Sequence, residues 1–211
     1  MGTHVIAVIN QKGGTGKTTL SMNLAAGLSR RADTVVIDLD PQGSSRQWAS
    51  MGSQPFPATI KQINGNWDAR TLHRNYRAFQ HMVLDCPPSL ESHASMQALR
   101  ACDVALIPVL PSPVDLWASM NLPEEIEEAR KVNPNIQAFL VLNQLEPRSA
   151  LSSAMRDALI EFGMPVLDAG LRRRAAYRNA ALEGLSVYQM GGHGTRAVEE
   201  MEAIIEEVIG Q

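Results

Sequence analysis

Apolar positions along the chain fall into two recurring patterns. Short runs rich in β-branched and aliphatic residues occur at His4–Asn10 (HVIAVIN), Thr34–Asp38 (TVVID), His81–Asp85 (HMVLD), Asp103–Val109 (DVALIPV) and Ile136–Asn143 (IQAFLVLN). Runs this short and this continuous predict strands buried on both faces. Between them the spacing changes to the helical period. Thr18–Ser29 carries Leu20, Leu24, Ala25 and Leu28 at that spacing, and similar patterns run over Ser92–Ala101, Val114–Lys131, Ala150–Phe162 and Arg196–Ile209. Strands alternating with helices predict an α/β fold, a largely parallel central sheet flanked by helices on both faces. Gly52–Asn66, with Pro55, Pro57 and Gly65 and little periodicity, reads as a surface excursion. No repeat, low-complexity tract or linker interrupts the alternation, so residues 1–211 are expected to form a single domain.

Composition changes this picture little. Hydrophobic residues make up 45% of the 211 and charged residues 19%, which excludes a disordered chain. Cys86 and Cys102 are too few for a disulfide framework or a zinc cluster and suit a reducing, cytoplasmic compartment. No N-terminal signal segment is evident, and no apolar stretch reaches the roughly 18 residues of a membrane span. The net charge is -3, from 19 Lys plus Arg against 22 Asp plus Glu, which on its face argues against nucleic acid. The basic residues are 15 Arg and four Lys, and two of those lysines, Lys12 and Lys17, fall in one glycine-rich stretch.

That stretch is QKGGTGKTT, Gln11–Thr19, between the first predicted strand and the first helix. Gly13, Gly14 and Gly16 permit a backbone that wraps around phosphates and aims N–H groups at them. The helix that follows offers its positive end to the same anion. In such a P-loop, Thr15 and Thr19 add to the cradle, Lys17 reaches the β- and γ-phosphates, and the Thr18 hydroxyl ligates Mg²⁺. ATP and Mg²⁺ are therefore the expected cofactors. A dinucleotide loop fits worse, because Thr19 stands where the third glycine of G-x-G-x-x-G belongs.

Gln11 stands where the usual P-loop pattern begins with glycine, and Lys12 follows it. In this the chain resembles the deviant Walker A ATPases, K-G-G-x-G-K-T-T, of the ParA and MinD type. The resemblance implies that Lys12 crosses a dimer interface to phosphates bound by the other subunit, giving an ATP-sandwiched homodimer. By itself Lys12 would be a solvated loop lysine.

Three acids are candidates to complete the site. Asp38 and Asp40 lie in VVIDLDPQGSS, where alternate residues of a strand face the same way and both carboxylates could meet one Mg²⁺–water cluster. DLDPQ resembles the switch I segment of ParA proteins, which implies that Asp40 positions the attacking water and Asp38 serves the metal's outer shell. Two strand-end caps would look the same. Asp85 closes HMVLDCPPSL as the acid of a Walker B strand does, holding Mg²⁺ through water. Cys86 beside it reads as a packing thiol. PVLPSPVDLWA (Pro108–Ala118) is similar to the family's turn near the nucleotide and the dimer partner. FLVLNQ places Asn143 where the family bonds the adenine base, although a strand-end turn residue fits equally.

Seven arginines lie between Arg148 and Arg196. LRRRAAYRNAALEGLSV resembles the ParA segment used for sequence-independent DNA binding, which implies DNA contacts from Arg172, Arg173, Arg174, Arg178 and Arg196. The alternative is a solvated face with intramolecular partners. Glu124, Glu125, Glu127 and Glu128, and Glu199, Glu200, Glu202, Glu206 and Glu207, are expected to form acidic patches apart from these arginines.

The resemblance is closest to small ParA proteins without an N-terminal helix-turn-helix domain. It implies a positioning ATPase that coats nucleoid DNA as an ATP dimer and is stimulated by a ParB-like or adaptor partner. The acidic last helix argues against a MinD-like membrane cycle, and the two cysteines do not match those of the nitrogenase iron protein, another member of the deviant Walker A family. A metabolic P-loop ligase of the dethiobiotin-synthetase type is the rival from another class.

Overall fold

A computed structural model of the chain describes residues 2–89, 92–118, 121–146, 156–160 and 163–210. Among these residues six parallel strands form one sheet in the order β3-β2-β4-β1-β5-β6. They are β1 His4–Val8, β2 Thr34–Asp38, β3 Thr59–Gln62, β4 His81–Asp85, β5 Val104–Val109 and β6 Gln137–Leu142. Leu140 and Leu145 make further parallel bridges to Val166 and Arg172, so residues 166–172 continue the sheet irregularly beyond β6.

Period-two alternation splits the strand side chains into two cores. Val5, Ala7, Val35, Ile37, Met82 and Leu84 face one way, onto α3 (Ala69–Tyr76), α4 (His93–Ala101) and α6 (Leu122–Arg130). Ile6, Val8, Val36 and Val83 face the other way. They meet α1 (Lys17–Leu28), α2 (Ser44–Met51), α7 (Ala175–Glu183) and α8 (Thr195–Ile209). The strands other than β3 are covered on both faces, as is usual for a parallel sheet.

Two expectations need correction. The excursion at 52–66 contains β3, an edge strand with alternating exposure instead of an apolar run. The long helix over 114–131 is two: α5 (Pro113–Ala118) and α6, which carries Pro123 in its first turn, where no N–H is needed. No pattern noted in the sequence announces α3 over 69–76, which forms behind a cap, the Asp68 carboxylate accepting from Thr71 N–H at 2.7 Å. Of the helix expected at 150–162, the described residues 156–160 are helical, and Arg148 lies outside the described residues.

The order of strands decides where ligands sit. β1 lies between β4 and β5, its neighbours on either side. In register, Val8 pairs with Asp85, and Asp38 pairs with Asp85. The glycine loop and both strand-end acids therefore leave the sheet at one level, at the carboxyl ends where open α/β sheets take ligands.

Candidate functional site: a phosphate loop and its carboxylates

The loop is braced from beneath. Asn10, buried at the end of β1, donates to Pro108 O at 2.8 Å and accepts from Lys12 N–H at 3.0 Å. Gly16 closes the loop as N-cap of α1 with φ 91°, in the left-handed region. A Cβ there would strike the Asn143 amide, whose Nδ2 donates to Thr15 O at 2.6 Å. Asn143 thus touches the P-loop itself, on the wall of a pocket that also includes Gly16 and Thr19. Gly13 and Gly14 stay exposed, and Thr15 is buried, its hydroxyl near Lys12 O at 3.4 Å.

Lys17 is 8% exposed, and its ammonium donates to Lys12 O at 2.8 Å, inside the curl of the loop. Burial lowers its pKa, opposed by Asp85, Cys86 and Asp40. An anion brought into the curl would meet the N–H groups of the α1 start and this ammonium together.

Asp85 is fully enclosed. Its oxygens accept from Ser21 Oγ at 3.0 Å and Ser45 Oγ at 2.6 Å, and Thr18 also hydrogen-bonds it. Burial raises its carboxyl to about 6 despite these donors, so a nearby cation would relieve a costly charge. Asp38, also buried, accepts backbone N–H groups from Asp40 at 3.1 Å, Ser45 at 2.9 Å and Arg46 at 3.3 Å. Its carboxylate serves α2 as a cap supplied from β2, and burial pushes its pKa up. Asp40 lies past the strand end and is half-buried, its Oδ1 accepting Gln42 N–H at 2.9 Å. The pair expected to face one cluster is therefore divided: Asp38 turns to α2, while Asp40 sits in the loop.

Among the described residues no group of three His, Cys, Asp or Glu side chains could hold a metal ion. The donor set nevertheless fits Mg²⁺ bound chiefly by phosphates, with the Thr18 hydroxyl and Asp85 beside it. Cys86 is buried, its thiol pushed well up by burial, which suits packing.

Lys12 points away from the loop. Its ammonium pairs with Asp115 of α5 at 2.9 Å, and Ser112 Oγ donates to the same oxygen at 2.5 Å. Val114 and Trp117 on that helix are 58% and 65% exposed.

The family that matches, over residues 6–187, is the CobQ/CobB/MinD/ParA nucleotide binding domain. The chain belongs to it. It is 46% identical over 206 residues to the maintenance of carboxysome distribution protein A of Halothiobacillus neapolitanus, covering 97% of this chain and 95% of that one. The ATP complex of a substituted McdA from Cyanothece superposes with a TM-score of 0.80 at 16% identity, over 99% of this chain and 96% of that one. Cobyrinic acid a,c-diamide synthase from Mycobacterium smegmatis, with ADP and magnesium, gives 0.71 at 20%, over 86% and 91%. At these identities the structures share the fold alone.

In this member of the ParA and MinD family the arginines adjoin the nucleotide loop. Arg172, Arg173, Arg174 and Arg178 line the same pocket as Gly16 and Asn143. Arg172, Arg173 and Arg174 are also matched with acids, against the expected segregation. Arg174 makes two bonds to Glu200 Oε1, at 2.8 and 2.5 Å, and Arg172 N–H donates to Glu200 Oε2 at 3.2 Å. Arg173 pairs with Glu146 at 3.4 Å and Arg196 with Glu199 at 3.6 Å. Glu202 holds Arg31 at 2.5 Å, and Glu207 accepts N–H groups of Asp168 and Ala169 at 2.9 and 2.6 Å. Glu199, Glu200, Glu202 and Glu207 of α8 are thus partners of basic and backbone groups. Among the described residues, Arg178 is exposed and makes no ion pair.

Asn10, Ser21 and Ser45 carry no motif of their own in the sequence. Ser45 follows the DLDPQ segment closely and Ser21 lies one turn after Lys17, so proximity to the motifs is the available signal.

Proposed function

We propose that the chain is a ParA-type positioning ATPase whose cargo is a large protein body of the carboxysome kind. The carrying observation is the 46% identity, nearly end to end, with a carboxysome distribution protein. ATP and Mg²⁺ are its cofactors, supported by the loop geometry and by family neighbours solved with ATP and with ADP and magnesium. Lys17 and the α1 N-terminus hold the phosphates, Thr18 and Asp85 serve the metal, and Asp40, the free-standing acid of the loop, orients the water for hydrolysis.

ATP closes two chains face to face, with Lys12 exchanging Asp115 for phosphates of the partner. The exposed Val114 and Trp117 beside that pair supply apolar area to the contact. The dimer binds DNA through arginines at the pocket rim, where phosphate contact needs charge and no base reading. A partner protein stimulates hydrolysis and releases the DNA. Non-specific binding of this type is sensitive to salt, which suits cycling.

The shared fold does not separate this reading from a metabolic ligase; the long identity does. A MinD-like membrane cycle is further disfavoured because Ala197, Met201, Ile204, Ile205 and Val208 of α8 are already buried in the core. Among the described residues no helix is long and apolar enough to cross a membrane.

The test is sizing and DNA retardation with ATP. Asp40→Ala is expected to accumulate as a dimer that retards any duplex, while Lys12→Ala stays monomeric and unbound. Monomer throughout, or ATP turnover that needs a small carboxylate and ignores DNA, would overturn the reading.

A further inference from the structure

Helix α2 begins where two buried acids meet. Its N-cap, Gly43, sits at φ 67° and has no side chain to offer, so the helix start is held by residues from elsewhere. Asp38 accepts the Ser45 and Arg46 amides at 2.9 and 3.3 Å. The Ser45 hydroxyl then reaches the other way and donates to Asp85 at 2.6 Å. Ser45 is 0% exposed, and Asp38 and Asp85 are register partners on adjacent strands. One residue therefore bonds one acid through its amide and the other through its hydroxyl.

We propose that Ser45 is a positioning residue that clasps Asp85 to the start of α2, so that metal binding at Asp85 is felt by that helix. The proposal rests on the reading of Asp85 as the acid beside Mg²⁺. A buried carboxylate with few donors can swing, whereas one held by hydroxyls keeps its direction. Ser21 supplies one such hydroxyl from α1, at 3.0 Å. Ser45 supplies the other from the helix that follows the Asp40 loop, and so it alone of the two joins the metal side of the site to that loop. The middle of α2 is anchored as well: Trp48 Nε1 donates to Leu185 O at 2.8 Å beyond α7. A shift of the first turn of α2 therefore reaches a buried indole.

At the second position of a helix, alanine would serve the backbone as well as serine. The hydroxyl is needed for Asp85 alone. Loss of an outer-shell partner of this kind typically weakens metal affinity about tenfold or more.

The experiment titrates Mg²⁺ into the full chain with a fluorescent, non-hydrolysable ATP analogue. Trp48 emission is followed in a Trp67→Phe/Trp117→Phe background. Ser45→Ala is expected to need about tenfold more Mg²⁺ and to lose the Mg²⁺-dependent Trp48 change, with metal-free analogue affinity held within about twofold. Ser45→Thr keeps the hydroxyl and is expected to behave as wild type. Ser21→Ala raises the Mg²⁺ requirement but retains the Trp48 change at saturation. Should Ser45→Ala fail to fold, Ser45→Cys, of similar volume and a weak donor, takes its place.

The clasp is overturned if Ser45→Ala titrates as wild type, or if metal-free affinity falls in parallel. Equal failure of Ser45→Thr and Ser45→Ala overturns it too. Absence of any Mg²⁺ effect in wild type would instead overturn the metal reading of Asp85, and the clasp with it.

Discussion

The glycine loop and the arginine segment line one pocket and both carry positive charge, yet they are built in opposite ways. Lys17 is 8% exposed, enclosed by its own loop and fixed by strand ends and helix starts. Arg172 and Arg173 are exposed by more than half, their side chains 55% and 64% open; Arg172 faces the largely enclosed Glu200 at 3.8 Å and Arg173 the exposed Glu146 at 3.4 Å. Charge at the loop is held ready for a ligand by desolvation and backbone dipoles. Charge at the rim is screened by solvent and balanced by acids that a stronger anion must displace. The first design suits a tight ligand of fixed geometry such as a triphosphate; the second suits a ligand bound weakly and released.

The sharpest way to break this contrast is at its rigid end. Lys17→Ala removes the one buried ammonium in the curl of the loop. Transition-state charge stabilisation of this type is worth about 10²–10³-fold in turnover, and ATP hydrolysis should fall by that factor. A steady-state phosphate-release assay checks it. A decrease no larger than that of a rim arginine would erase the distinction between the two regions.

The rim itself divides. Arg174 is half-buried against Glu200, whereas Arg178 is exposed and makes no ion pair among the described residues. Arg173→Ala/Arg178→Ala should leave the melting temperature nearly unchanged. It should weaken ATP-dependent DNA binding about tenfold at moderate salt, flattening the log-affinity against log-salt slope by about one unit for each DNA phosphate that is no longer neutralised. Arg174→Ala should instead cost about 1–2 kcal/mol of stability, because it leaves Glu200 without its closest cation. If the double variant melts early and binds DNA normally, these arginines are structural.

What could be read from the chain followed the same division. Five of the six strands announce themselves because strands buried on both faces need continuous apolar runs, and β2 and β4 end where the patterns TVVID and HMVLD end. β3 is an edge strand, TIKQ, with only alternate positions half-buried, and Pro55 and Pro57 ahead of it point to a loop. The P-loop was legible because its glycines and Lys17 act within one short segment. Ser21 and Ser45 were not, since a hydroxyl carries no signal until strand register places Asp85 against it. The pairing of Arg174 with Glu200, 26 residues apart, depends on how α8 packs.

A smaller effect comes from the opposite end of the sheet, far from either charged region. His4 and His81 are register partners at the start of β1 and β4, with ring centroids 6.2 Å apart and nearly perpendicular. The Nδ1 of each is buried without a hydrogen-bond partner. Burial lowers the pKa of His81, helped by His4 and Arg31, so the folded chain takes up its proton later than the unfolded chain, near pH 6.5. Below that value the unfolded state binds more protons, and stability falls as pH drops until His81 titrates in the fold as well. Asp85, raised to about 6, works the other way over the same range, so the wild-type curve alone is ambiguous. The difference between His81→Phe and wild type isolates the histidine. Melting temperatures from pH 7.5 to 5.5 should decline less in the variant, by a few degrees, about the size expected of a sub-kilocalorie to one-kilocalorie change in a chain of this length. Parallel curves would mean that the paired histidines sit at the foot of the sheet without any energetic charge effect.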